Sequence, residues 1–301
     1  MTVALTSTDG AASAAPVIDL DEPGAADAQV AGAKAANLAK AVSLGLPVLP
    51  GFVVTTGAGV QLDDTLRGDL RRAWNRLSSG GRKPLVVRSS SAVEDGATGS
   101  MAGVFKSILD VRGWDDFLQA FSLVLASAST AAAAGLSDAP MAVLVQPQLD
   151  AVRGGVMFGA DPLSGRTDRV LVVAVDGGPE PLVSGRVGGA RHVLSLRTGR
   201  VVERNGDPGP ALRRAERRAL VALARVTAEV FGGPQDIEWA FGLDGRLWLL
   251  QSRPITAMAA ARTTAGPVLG PGPVAETFPE PLAPLESDLW LTPLRAALIE
   301  A

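Results

Sequence analysis

QDIEWAFGLDGRLWLLQSRPIT, residues 235 to 256, sets two carboxylates, an amide and a guanidinium into two otherwise apolar runs joined by Asp244-Gly245. Runs rich in Trp, Ile, Leu and Phe around an Asp-Gly pair signal a β-hairpin, because a two-residue type I′ turn requires positive φ at both of its positions. With that turn Leu243 faces Arg246, and counting outward sets Glu238 opposite Gln251 and Asp236 opposite Arg253. Side chains alternate along a strand, so the four polar groups share one face at the open end of the hairpin. The other face presents Ile237, Trp239, Phe241, Trp248 and Leu250 to a core. Two readings of the polar face stay open at this point. One is a cross-strand Asp–Arg pair beside a Glu–Gln hydrogen bond. The other is a set of oxygen donors for Mg2+, which takes one or two carboxylates together with substrate phosphates.

The chain around this hairpin is long enough for a real core: 301 residues, 47% of them hydrophobic. Its 28 basic and 31 acidic residues leave a formal charge of −3, which supplies no bulk attraction to nucleic acid or to an anionic membrane. With no cysteine and one histidine, disulfides, thiolate chemistry and Cys- or His-rich metal centres are excluded. A reducing cytoplasm suits that composition. The N-terminus lacks a charged segment followed by an apolar core, and the alanine run near residue 131 is too short and too rich in Ser and Thr to span a bilayer. The expectation is a soluble, cytoplasmic protein.

Along the chain, MTVALTSTDGAASAAP reads as a flexible tail over residues 1–16. AGAKAANLAKAVSLGLPVLPGFVVTT predicts a helix through about Leu44, stopped by Gly45 and Pro47, then a strand over residues 52–55. Leu62, Leu66, Leu70, Trp74 and Leu77 fall on one face of a second helix. PLVVRSS predicts a strand ending at Arg88 and a Ser/Gly-rich loop through Gly103, followed by the strand VFKSILDV and an Ala-rich helix from about Trp114. MAVLVQPQL, GGVMFGADP, RVLVVAV, HVLSL and GRVVE follow as strands, and then a long helix over about residues 209 to 231 precedes the hairpin. From Ala257 the composition turns to Ala, Thr, Gly and Pro, which reads as a linker running into the opening of a following module over 257–301.

Three segments can be weighed beside the hairpin. In GAKAANL, Lys34 stands among small residues that let its ammonium reach past the backbone. In VVRSSSAVEDGATGSMAGVF, Arg88 precedes a loop bearing Gly96, Gly99 and Gly103. Such a loop can present N–H groups to phosphate oxygens, while arginine offers a planar fork that matches them. No G-x-x-x-x-G-K-[ST] sequence is present, so the loop is not a P-loop. In VLVQPQLDA, Gln146 closes a strand, where a neutral amide serves either the fold or an adenine edge. Each of these, alone, is as well read as an ordinary lysine, loop or structural amide.

Together the runs GAKAANLAKAVSLGLPVLPGFVVTT, VVRSSSAVEDGATGSMAGVF, GGVMFGADPLSGRTDRVLVVAVDGGPEPLVSGRV and GGPQDIEWAF with LWLLQSRPIT resemble the nucleotide-binding domain of the phosphoenolpyruvate synthase, pyruvate phosphate dikinase and rifampin phosphotransferase family, over about residues 28 to 256. The resemblance implies an α+β, two-lobed ATP-grasp fold with mixed, largely antiparallel sheets over 17–256, holding ATP between the lobes and Mg2+ on its phosphates. By matching motif positions, Lys34, Arg88 and Arg253 would handle the phosphates, and Glu238 and Gln251 would be metal ligands. Asp236 would support that cluster and Gln146 would lie by the adenine. The chain departs from the family in having Ala33 and Ala35 beside the lysine and DGGPEP in place of a GLGE-type segment. The resembled enzymes pass the β-phosphate of ATP to a histidine on a swivelling domain. Here His192 lies within the nucleotide-domain pattern, so the expected partner is a phosphohistidine domain on a separate chain or missing from this one. The alternative is a nucleotide-sensing module without turnover.

Overall fold

The computed structural model describes residues 15–58, 62–92, 106–133, 140–162, 164–206 and 209–255. The chain divides into two units, Met1–Ala261 and Arg262–Ala301, and all described residues lie in the first. The tail ahead of residue 15, the glycines of the loop after Arg88 and the linker from residue 257 lie outside the described residues.

Two sheets carry the fold. The first contains β1 (Val17–Asp19), β2 (Phe52–Val54), β3 (Leu85–Ser91), β4 (Ser107–Val111) and β5 (Met141–Pro147), in the order β1-β2-β5-β3-β4. The second contains β6 (Ala151–Phe158), β7 (Arg169–Asp176), β8 (Ala190–Ser195), β9 (Val201–Gly206), β10 (Gln235–Gly242) and β11 (Leu247–Pro254), in the order β11-β10-β6-β7-β8-β9. Among the described residues every strand pairing is antiparallel. A parallel bridge between Val48 and Leu249 links the connector ahead of β2 to β11. The helices are α1 (Ala28–Ser43), α2 (Asp64–Ser78), α3 (Gly113–Ala133), the single turn α4 (Glu180–Val183) and α5 (Arg214–Phe231). This is the α+β, two-sheet architecture expected. Among the described residues, no helix is long and apolar enough to cross a membrane.

Alternation along β5 divides the core. Val143 and Val145 face α2 and α3, where Leu66, Leu70 and Trp74 meet Phe117 and Phe121. Ala142 and Leu144 face the other way and join Leu38 of α1, Met157, Val172, Ile237 and Trp239 of the second sheet, and Leu220 of α5. Each fully buried Val, Leu, Ile, Phe or Met among them contributes about 1.5–3 kcal/mol. Helix α2 starts because Asp63 caps it, its carboxylate accepting the Leu66 amide at 2.7 Å, which meets one of the donors that a helix start leaves unpaired. Helix α1 packs on β3 and β5 of the first sheet and on β11 of the second.

The hairpin keeps the expected pairs by a different route. The Gly245 amide donates to the Gly242 carbonyl at 2.9 Å and the Gly242 amide to the Arg246 carbonyl at 3.0 Å, so the loop holds residues 243–245. Gly245 alone among these is left-handed, at φ 75°, as in a three-residue hairpin loop rather than a type I′ turn. Trp239 therefore faces Leu249, one residue off the expected register, until a bulge opposite the Glu238–Trp239 step absorbs Leu250. Beyond it Glu238 faces Gln251 and Asp236 faces Arg253, as the sequence predicts. The bulge also changes the inward face. Leu249 is fully buried there, and Trp248 and Leu250, expected in the core, are half-buried.

Candidate functional site

Arg88 connects the two sheets. Expected to end its strand, it lies mid-strand, because Ser89, Ser90 and Ser91 continue the ladder with β5. From β3 its guanidinium reaches the hairpin: one terminal nitrogen donates to Glu238 Oε2 at 3.2 Å and to Gln251 Oε1 at 3.0 Å, and the other donates to the carbonyl of the bulged Leu250 at 3.0 Å. The Arg88 and Glu238 side chains are only 15% and 17% exposed. One rung further, Arg253 donates from Nε to Asp236 Oδ2 at 2.8 Å, and a terminal nitrogen of its guanidinium pairs with the same oxygen at 2.8 Å. Four of the predicted polar residues thus share one hairpin face and a fifth arrives from the other sheet.

Lys34 comes from a broken helix. At Gly32 the backbone of α1 leaves helical geometry, with φ 72° and ψ 164°, and a β-carbon there would lie 1.9 Å from the Ser90 carbonyl oxygen. Only glycine tolerates both the dihedral and the approach. The helix then restarts, with the buried Ser90 hydroxyl accepting the Ala35 amide at 3.0 Å. One turn after Lys34, Asn37 donates its amide to the Ser252 carbonyl at 3.0 Å, between Gln251 and Arg253. Residues three apart share a helix face, so Lys34 stands on the side of α1 that meets the site. Asn37 and Ser90 were not singled out from the sequence, although both lie within the quoted motifs.

Gln146 lies apart from the cluster. It is buried, and its amide donates to the Leu49 carbonyl at 2.9 Å, anchoring the connector whose Pro47 carbonyl accepts the Leu249 amide at 2.8 Å. His192 is also remote, buried on β8 with Nδ1 3.1 Å from the Ala190 carbonyl oxygen. Burial pushes its pKa down, with Arg204, Arg217 and Arg153 adding to the effect against the Ala190 hydrogen bond. A phosphate carrier must align with its donor and then leave, which a buried side chain in the interior of a six-stranded sheet does not do. The DGGPEP segment, residues 176–181, runs from the end of β7 through the loop 177–179 into α4, and the loop lies against Gly154 of β6: a β-carbon at Gly154 would meet Gly177, Gly178 and Pro179 backbone atoms at 2.8–3.0 Å.

Burial raises the Asp236 carboxyl above its ordinary range, outweighing the attraction and hydrogen bond of Arg253, with repulsion from Glu238 in the same direction as burial. The Glu238 and Gln251 oxygens converge on a single cationic nitrogen. One carboxylate and one amide oxygen that already face a cation make a donor set suited to Mg2+, which prefers one or two carboxylates and completes its shell with water and phosphate oxygens. Among the described residues no group of three or more His, Cys, Asp or Glu gathers into a separate metal site.

Residues 58–208 and 209–267 match the family described as pyruvate phosphate dikinase, AMP/ATP-binding domain. The match includes Arg88, Gln146 and the hairpin, and Lys34 precedes it. Among curated relatives, the prodigiosin synthesizing transferase PigC of Serratia marcescens is 32% identical over 284 residues, covering 76% of this chain and 32% of that protein. A probable phosphoenolpyruvate synthase of Methanothermobacter thermautotrophicus is 30% identical over 316 residues, covering 80% and 46%. The rifampicin phosphotransferase of Streptomyces sviceus is 35% identical over 231 residues, covering 66% and 26%. The chain thus spans less than half the length of each of these relatives.

Proposed function

The chain belongs to the pyruvate phosphate dikinase AMP/ATP-binding domain family, and from that premise we propose that it binds Mg2+·ATP between its two sheets, in the ATP-grasp manner, and donates the β-phosphate to a histidine on a separate swivelling domain. The observation that carries this reading is the convergence of Arg88 from one sheet with Glu238 and Gln251 from the other. Phosphoryl transfer depends on alignment and on neutralising charge spread over phosphate oxygens. Lys34, Arg88 and Arg253 are the cations for that work, and Asp236 holds Arg253 in position. Glu238 and Gln251 would hold Mg2+, which when bound neutralises phosphate oxygens and orients the chain of phosphates. Gln146, at the end of β5, is the proposed neighbour of the adenine.

The acceptor nitrogen attacks the β-phosphorus and the bond to the α-phosphate oxygen breaks. AMP leaves, and water releases the γ-phosphate as inorganic phosphate, so ATP, water and histidine give phosphohistidine, AMP and phosphate. His192 takes no part. The test supplies the purified chain with ATP labelled in the β-phosphate and with a histidine-bearing swivelling domain. Acid-labile label on that domain, with equimolar AMP and with loss of both in Arg253→Ala, is the expected result. ATP bound by the chain with no label transferred would support a nucleotide-sensing module instead.

A further inference from the structure

We infer that Arg88 holds the metal position shut in the nucleotide-free protein, so that a divalent cation enters between Glu238 and Gln251 only together with a nucleotide whose phosphates draw Arg88 away. This rests on the reading of the cluster as a nucleotide and metal site, and adds to it an order of binding. One nitrogen of Arg88 contacts Glu238 Oε2 at 3.2 Å and Gln251 Oε1 at 3.0 Å. Magnesium held by the same two oxygens would lie about 2.1 Å from each, so the two cations compete for one place. The pair is shielded, at 15% and 17% side-chain exposure, and so escapes most of the screening that weakens surface ion pairs.

Arg88 is also moored at its other nitrogen, 3.0 Å from the carbonyl of the bulged Leu250. Moving the guanidinium therefore breaks three hydrogen bonds, and a hydrated divalent ion alone offers it no replacement partner. A nucleotide does. Phosphate oxygens match the planar fork of arginine, so Arg88 exchanges a carboxylate and an amide oxygen for phosphate as the cation takes the oxygens it leaves. By linkage, nucleotide and metal then raise each other's affinity by the same factor.

The test uses Mn2+ as the probe, counting free ion by electron paramagnetic resonance, on the whole chain without nucleotide. The wild type is expected to bind Mn2+ alone weakly, and Arg88→Met to bind it about tenfold more tightly or better. The gain should vanish in the double variant Arg88→Met with Glu238→Gln, which locates the ion at Glu238. Where Arg88→Met does not fold, Arg88→Gln, which keeps a donor for Leu250, carries the same comparison. A folded Arg88 variant with wild-type affinity for Mn2+ alone overturns the shut-site inference and leaves the nucleotide reading standing. Binding of Mn2+·ATP that is undiminished in the single variant Glu238→Gln instead removes the metal-site reading, and the inference with it.

Discussion

Asp236 is held by Arg253 at 2.8 Å, yet burial raises its pKa above the ordinary 3.8. A carboxyl whose pKa is higher folded than unfolded releases its proton more readily on unfolding, so its stabilising effect is complete below the unfolded pKa and is lost as pH rises through the folded one. The stability of the wild type relative to Asp236→Asn should therefore fall as pH climbs from about 4 and level off once the folded carboxyl has ionised. Urea denaturation of both proteins across pH 4 to 7 measures this, and a difference that stays flat or rises with pH would contradict the assignment. Asp236, Glu238, Gln251 and Arg253 were legible in the sequence because four polar residues at period two interrupt apolar strands. The bonds of Arg88 to the Leu250 carbonyl and of Asn37 to the Ser252 carbonyl were not, because backbone acceptors carry no residue signature.

At the scale of elements, the sequence reads one helix from the early alanines to Leu44, and the structure breaks it at Gly32. Composition hides such a break, since a glycine among alanines looks like a weak helical position. Its cause lies 58 residues away, where the Ser90 carbonyl needs the room of a missing β-carbon. Gly32→Ala should cost about 3 kcal/mol or more, through a left-handed dihedral plus a backbone clash. Gly45→Ala is the control: Gly45 is equally left-handed at φ 76°, but nothing lies within 4 Å of an added β-carbon, so strain alone should cost about 1 kcal/mol. Equal losses for the two in denaturant melts would remove the packing argument. The hairpin teaches a related lesson. Asp244-Gly245 located the turn correctly but not its type, and the Leu250 bulge then restored the predicted site pairs. The site register was thus legible, while the inward face near the turn was not.

At the scale of the molecule, β11 is the edge of its sheet, and its outer backbone groups are met by the other part of the fold: the Leu249 amide by Pro47, the Leu250 carbonyl by Arg88 and the Ser252 carbonyl by Asn37. Edge strands left open invite unwanted pairing, and here the groups that cover the edge include the proposed phosphate contact Arg88. The order of strands and helices read only as an antiparallel or mixed sheet, and the two-lobed architecture was legible through the resemblance of the four ordered motifs to a known family. Which strand edges meet depends on side chain to backbone bonds between distant segments, which periodicity does not encode. A ligand that binds only the folded state raises its stability by RT ln(1 + [L]/Kd), about 2.7 kcal/mol at 100 Kd. For a domain of this size that is a rise of several degrees in melting temperature. The direct measurement is the thermal melt of the purified chain with saturating Mg2+·ATP, beside Glu238→Gln under the same conditions: the account predicts a rise of several degrees in the wild type, strongly reduced in the variant, and a melt unmoved by Mg2+·ATP would contradict it.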